Sequence, residues 1–226
     1  MVHGVFIAIE GVDGSGKKTQ TKLLCDRFQS IGKDVYTISF PRYGELSAKI
    51  IEKYLRGELG DSRSQPPELM SLAYAVDRFG AAETIRRKIN HGFVVIADRY
   101  AASNLAHQGT KIRDEAQRKA FYNETLQLEY ETLGIPKPSL NIVLLVPSAV
   151  AQPNVDQKDA RTYTTKQRDI HEADANHLEL AKKNYEELCD LYPDEFVAVE
   201  CMHDESTMRS IEDIHQDIWQ QVKPLL

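Results

Sequence analysis

Gly11, Gly14 and Gly16 fall within six residues and are followed at once by Lys17. Glycines so closely spaced let the backbone turn sharply and aim successive N–H groups inward, and the lysine adds a full positive charge. That chemistry suits a polyphosphate. Ahead of the glycines, Val5 to Ile9 is an apolar run of the kind found in a strand buried on both faces. Behind them, the chain from Lys17 reads as a helix carrying Thr21, Leu23, Leu24 and Phe28 and stopping at Gly32. Strand, glycine loop and helix N-terminus in that order make an anion cradle. Gly11-x-x-x-x-Gly16-Lys17 fits the P-loop pattern, although Lys18 stands where a magnesium-holding Ser or Thr usually follows.

Other groups with chemical potential recur just after apolar runs. Lys33 to Phe40 reads as a second strand ending in Pro41-Arg42-Tyr43-Gly44, a loop whose arginine and tyrosine suit a phosphate and a ring. A long helix opens at Pro66-Pro67 and runs to about Asn90, with Leu69, Leu72, Ala73 and Val76 expected as its core stripe. Tyr74, Asp77 and Arg78 lie on a different face, spaced so that they can meet. They read either as an exposed ion pair beside a half-buried tyrosine or as an aromatic plate with a guanidinium at its edge. Phe93 to Ala97 is a third strand leading into Asp98-Arg99-Tyr100, and an aspartate there is placed to hold a metal or its waters. In the helix expected from Ala101 to Gly109, Asn104, His107 and Gln108 share a face. Asn104 offers an acceptor and a donor, which suits the imide edge of a pyrimidine.

The remaining elements position these groups. Ala48 to Leu55 reads as a helix, and Arg113 to Leu133 as an amphipathic helix for core and subunit contact, without chemistry of its own. Leu140 to Val146 is a fourth strand and Glu195 to Cys201 a fifth. Ile211 to Val222 reads as a terminal helix with Ile211, Ile214, Ile218 and Val222 as its stripe. The polar segment from Gln152 to Arg168 carries Lys158, Arg161, Lys166 and Arg168 but almost nothing to bury, as a mobile phosphate-closing lid would. A further helix is expected from Asp169 to about Leu191. Strands alternating with helices predict an α/β fold, a three-layer α/β/α sandwich with a five-stranded parallel sheet of P-loop NTPase type. One domain is expected over residues 1–226, with the lid at about 152–168.

A net charge of −6 argues against a general nucleic-acid binder but allows a local cationic cleft for a small anion. The apolar runs are too short to span a bilayer, and no leader is expected because the chain enters its first strand almost at once. Cys25, Cys189 and Cys201 are odd in number and lack metal spacing, which fits a reducing, cytoplasmic setting.

Taken in order, IEGVDGSGKKTQ, FPRYG, YAVDR, DRYAASN, HQG, a basic lid and DIHE resemble the thymidylate kinases of the nucleoside monophosphate kinase group, over nearly the whole chain. The resemblance implies a homodimer that transfers the γ-phosphate of ATP to dTMP with Mg²⁺, giving dTDP and ADP. It assigns the donor phosphates to Gly11, Val12, Asp13, Gly14, Ser15, Gly16, Lys17, Lys18 and Thr19, with Lys17 bridging the transferred group. It places Asp13 near the acceptor phosphate and sugar, and Phe40 and Pro41 in the pocket wall. Arg42 and Arg99 would grip the acceptor phosphate. Tyr74 would stack on the base, Arg78 meet a base carbonyl and Asn104 read the ring edge, with Ser103, His107 and Gln108 beside them. Asp98 would organise magnesium, with Asp13 or Glu172 assisting. Because Gly14 stands where some members carry an arginine, the transition-state arginine is expected from the lid, as Arg161 or Arg168. His107 replaces a common tyrosine, which leaves ribose exclusion open. Two other functional classes remain: an ATP hydrolase or nucleotide-binding protein without kinase activity, and a kinase of another pyrimidine nucleotide such as dUMP or UMP.

Overall fold

Five parallel strands form the central layer: β1 (Val5–Gly11), β2 (Val35–Ser39), β3 (Val94–Asp98), β4 (Leu140–Leu145) and β5 (Phe196–Glu200). Their order is β2-β3-β1-β4-β5, which puts the glycine-loop strand in the middle. The computed structural model describes residues 4–61, 64–156, 174–204 and 206–226. β1 shows why its sequence is apolar throughout. Ile7 and Ile9 pack into one hydrophobic cluster, whereas Phe6 and Ala8 pack into another across the sheet. β3 repeats the division, with Val94 and Ile96 on one side and Val95 and Ala97 on the other.

Helices cover both faces: α1 (Lys17–Ser30), α2 (Lys49–Leu55), α3 (Pro67–Asn90), α4 (Ala101–Gly109), α5 (Glu115–Leu126), α6 (Ser148–Asp156), α7 (Ala175–Leu191) and α8 (Ile211–Val222). Leu24 and Phe28 of α1 share the larger cluster with Ile214, Ile218, Trp219 and Val222 of α8. α5, α7 and α8 begin at Asp114, Asp174 and Ser210, whose side chains accept hydrogen bonds from first-turn N–H groups. No described helix is long and apolar enough to cross a membrane.

The register decides where the site forms. β1 and β3 pair Ile9 with Asp98, so the loops leaving these two strands begin side by side at the sheet's carboxyl rim. The Arg99 N–H donates to the Ile9 carbonyl at 3.0 Å, which extends the pairing by one residue.

Several expectations are corrected. The stripe Leu69, Leu72 and Val76 does not face the core: with Phe79 it forms an exposed apolar line along α3, Val76 being 47% and Phe79 55% exposed. The helix instead turns Ala75, Ala81 and Ile85 toward the sheet, where small side chains permit close approach. Ile211 is half exposed and contributes only its carbonyl, accepting from Gln20 Nε2. The helix expected over Arg113–Leu133 begins at Glu115, and its last part, Gln127–Thr132, is π-helical. The segment read as a lid starts inside α6, so 152–156 are helical. The rest of that lid and the start expected for the next helix, 157–173, lie outside the described residues.

Candidate active site

The loop between β1 and α1 takes its shape from glycines that no other residue replaces. Gly14 has a φ of 84°, and a Cβ there would sit 2.0 Å from the Ala151 carbonyl oxygen of α6. A side chain at this position would displace α6. Lys17, at the first position of α1, is buried and folds back so that Nζ donates to the carbonyls of Gly11 (3.0 Å) and Val12 (2.7 Å). Lys18 and Thr19 are exposed on the same turn.

Arg99 reaches the loop from the other side. Its Nη1 donates to the Gly11 carbonyl at 3.2 Å and to Ser103 Oγ at 3.0 Å, and Nη2 pairs with Asp13 at 2.9 Å. Two cations from different elements thus converge on one carbonyl oxygen. Arg99 is the described non-glycine residue with positive φ, 67°, a conformation costing about 1–2 kcal/mol for a residue with a Cβ. Such strain marks places where geometry is imposed from outside. Burial works against the Arg99 charge, but Asp13, Tyr185, Asp98 and Glu10 outweigh it and hold the guanidinium cationic.

Glu10 organises this corner, and the sequence reading overlooked it. It is wholly buried; its carboxylate accepts from the Tyr100 N–H at 2.7 Å, the Ser103 hydroxyl at 2.6 Å and the Tyr185 hydroxyl at 3.1 Å. Burial pushes its carboxyl above the usual range, while the Ser103 hydrogen bond and the Arg99 charge pull it back. The available signal was one acidic residue ending an apolar strand, since a fully buried carboxylate demands partners.

His107 extends the Arg99 network. The Thr110 hydroxyl donates to the His107 carbonyl at 2.8 Å, so its oxygen is left to accept from His177 Nδ1 at 3.2 Å. His177 Nε2 then accepts from His107 Nδ1 at 3.0 Å, and His107 Nε2 faces Arg99 Nη1 at 3.4 Å. One consistent set of donors fixes both tautomers. His177 and Tyr185, both on α7, were also not singled out from the sequence.

The residues expected around a base are partly redistributed. Asp77 and Arg78 each take a partner from elsewhere in the chain. The Asp77 carboxylate accepts from the Arg42 backbone N–H at 2.8 Å and from Arg42 Nε at 3.0 Å, while Arg42 Nη2 donates to Ser47. Asp77 therefore holds Arg42 in place. Arg78, 2% exposed, makes a two-pronged ion pair with Glu129 at 2.6 and 2.5 Å. Burial opposes the Arg78 charge and Glu129 more than restores it. Tyr74 packs beside Ile51, Tyr54 and Met70. Phe40 is buried edge-on to Tyr100 at 5.4 Å, and the Phe40–Pro41 bond is cis. The α5 extension, expected to be free of chemistry, delivers Glu129 to this cluster; its four-residue spacing from Phe121 and Thr125 was the usable signal.

Four buried polar atoms gather on α3 and α4 without a partner: Ser71 Oγ, Asn104 Oδ1, and both amide atoms of Gln108. Native interiors satisfy nearly all such groups, so an orphan set of this kind points to a polar ligand. Among the described residues no three His, Cys, Asp or Glu side chains cluster to form a metal site. Asp98 and Asp13 nevertheless suit magnesium, which takes oxygen donors and needs only one or two carboxylates when phosphates supply the rest. Arg161, Arg168 and Glu172 lie outside the described residues.

Comparison with known proteins identifies the family. The sequence pattern of the family described as Thymidylate kinase matches residues 9–218. A thymidylate kinase of Mycobacterium tuberculosis (strain ATCC 25618 / H37Rv) is 37% identical over 185 residues, covering 81% of this chain and 85% of the relative. A probable thymidylate kinase of Pyrococcus abyssi (strain GE5 / Orsay) is 31% identical over 232 residues, covering 98% of this chain and 97% of the relative. Among solved structures, thymidylate kinase from Candida albicans superposes with a TM-score of 0.69 at 21% identity, over 99% of this chain and 92% of that one, and so supports the fold.

Proposed function

The chain belongs to the thymidylate kinase family, whose members transfer the γ-phosphate of ATP to dTMP, and from that premise we propose how its residues carry out the transfer. A phosphate oxygen of dTMP attacks the γ-phosphorus, the bond from that phosphorus to the β,γ-bridging oxygen breaks, and ADP and dTDP result. No proton has to be removed from the nucleophile, so catalysis is positioning and charge neutralisation. The Gly11–Thr19 loop holds the donor phosphates with its N–H groups and the N-terminus of α1. Lys17 leaves the Gly11 and Val12 carbonyls to bridge the transferred group. Arg99 and Arg42 hold the acceptor phosphate, Asp13 and Asp77 keep these arginines oriented, and Phe40 and Pro41 wall the pocket. Tyr74 stacks on the base, and Arg78, Asn104 and Gln108 read its edge, with Ser103 and His107 beside the sugar. Magnesium, when bound with ATP, would neutralise phosphate charge, and Asp98 is the carboxylate that would hold it, aided by Asp13 or Glu172. Since Gly14 has no room for a side chain, a transition-state arginine comes from the lid, as Arg161 or Arg168.

The observation that carries this reading is the meeting of Lys17 and Arg99 on the Gly11 carbonyl, one cation for each of two mutually repelling phosphates. ADP release measured with dTMP, dUMP, UMP, dCMP and dGMP, and with no acceptor, tests it. Release that needs dTMP is expected. Release that ignores the acceptor would indicate a hydrolase, and silence throughout a binding protein.

A second copy of the chain is the proposed cover for the line Leu69, Leu72, Val76 and Phe79. An apolar line spanning about three helical turns is unusual on a lone soluble domain. The three cysteines are free, which suits work in a reducing compartment such as the cytoplasm.

A further inference from the structure

Glu129 is a fully buried acid that the proposed mechanism leaves without a task. It is 0% exposed and sits in the π-helical turn Gln127–Thr132, a local geometry that recurs at functional positions. Its carboxylate receives Nε and Nη2 of Arg78, and Asn104 Nδ2 lies 3.4 Å from the same Oε1. The Ser71 carbonyl stands at 3.4 Å from Nδ2 as well. Both neighbours of Nδ2 are acceptors only, so the Asn104 amide has one favourable orientation. Its NH₂ points to Glu129 and Ser71. Its Oδ1, buried and without a partner, is the end left to meet a ligand.

We infer that Glu129 is the positioning residue that decides which pyrimidine the site accepts, by fixing Asn104 as an acceptor and Arg78 as a donor toward the base. This inference rests on the functional reading above and deepens it. Thymine and uracil offer a donor at N3–H and an acceptor at O4, which complement Oδ1 and the guanidinium. Cytosine reverses both, with an acceptor at N3 and a donor at N4, so it meets acceptor against acceptor and donor against donor. Sites that pair buried polar groups with their substrate reject an analogue lacking the match far better than apolar pockets do.

Glu129→Gln tests the idea with little change of shape. Arg78 meets one carboxylate oxygen through Nε and the other through Nη2, and Asn104 shares the second, so the new amide keeps its oxygen at that shared place and turns its NH₂ against Arg78 Nε. Donor then faces donor, and the guanidinium shifts from the position in which it donates to the base, while Asn104 keeps its orientation. The expected result is a fall in kcat/KM of about tenfold to a hundredfold for dTMP and dUMP alike, with dCMP unchanged or improved. An equal fall for all three nucleotides would reduce Glu129 to a structural ion-pair partner and overturn the inference. A wild-type protein inactive on dTMP would instead overturn the functional reading, so the two failures are distinguishable. Thermal unfolding shows whether the variant folds. If it does not, nuclear magnetic resonance of the unaltered protein decides: the Asn104 NH₂ protons should exchange slowly both with and without dTMP. Protons that exchange freely until dTMP binds would place the NH₂, not Oδ1, toward the base, and contradict the assignment.

Discussion

Arg99→Ala separates catalysis from folding at this site. In the wild type the guanidinium touches Gly11, Ser103 and Asp13 and stands within 3.4 Å of His107. Alanine removes these contacts but inherits the same left-handed backbone, so the φ of 67° costs both residues alike. The Arg99–Asp13 pair is partly solvent-exposed, at 15% and 19%, and losing a pair of that kind costs roughly 1–2 kcal/mol of stability. Removing a cation that offsets repulsion between two phosphates costs far more in turnover, about a thousandfold or more, or about 4 kcal/mol of activation free energy. Steady-state kinetics with dTMP as acceptor, run alongside denaturant unfolding, should therefore show kcat collapsing while the protein stays folded. Arg99→Gly provides an internal control: it is as inactive as the alanine variant yet about 1 kcal/mol more stable, because glycine accepts positive φ freely. A turnover number unchanged in Arg99→Ala, or one that falls only as far as the folded fraction falls, would refute the reasoning.

Three further outcomes follow from the same geometry. Glu10→Ala orphans the Tyr100 N–H and the hydroxyls of Ser103 and Tyr185, and should lower unfolding free energy by about 3 kcal/mol or more in urea titrations; a loss under about 1 kcal/mol would contradict the hub role. Phe79→Asp places a charge on the exposed line of α3 and should convert a dimer to a monomer in sedimentation equilibrium, whereas a wild type already monomeric at micromolar concentration would sink the proposed interface. Burial pushes the Cys189 and Cys201 thiols up to about 12, above the ordinary value of 9.0. Because the unfolded thiols ionise first, the stability they contribute is present below about pH 9 and lost as pH climbs from there toward about 12. Cys189→Ala should show a smaller alkaline drop in urea midpoint than the wild type, and an equal drop would contradict that linkage.

The sheet and its loops were legible because each depends on a local pattern. β1, the glycines and α1 follow from an apolar run, positive-φ glycines and a lysine at the helix start, and the carboxyl-rim position of Arg99 follows from Phe93–Ala97 ending at Asp98. The orientation of α3 was not legible. Its apolar residues mark two faces, and the sheet took the one with small side chains, leaving Leu69, Leu72, Val76 and Phe79 outside. The partners of Arg42 and Arg78 were hidden for a different reason. Local spacing suggested that Asp77 and Arg78 belong together, but Arg78 is paired by Glu129, 51 positions away. Glu129 itself escaped notice because residues four apart drift about 40° per step around an α-helix. The π turn winds more slowly and keeps it aligned with Phe121 and Thr125.

Label on the γ-phosphate of ATP follows the central event without an intermediary. If Lys17 and Arg99 bring two phosphates end to end, the label should appear in dTDP, one for each ADP formed, and only when dTMP is present. Label released as inorganic phosphate at the same rate with and without dTMP would mean that the two cations serve a single nucleotide, and the account would be wrong.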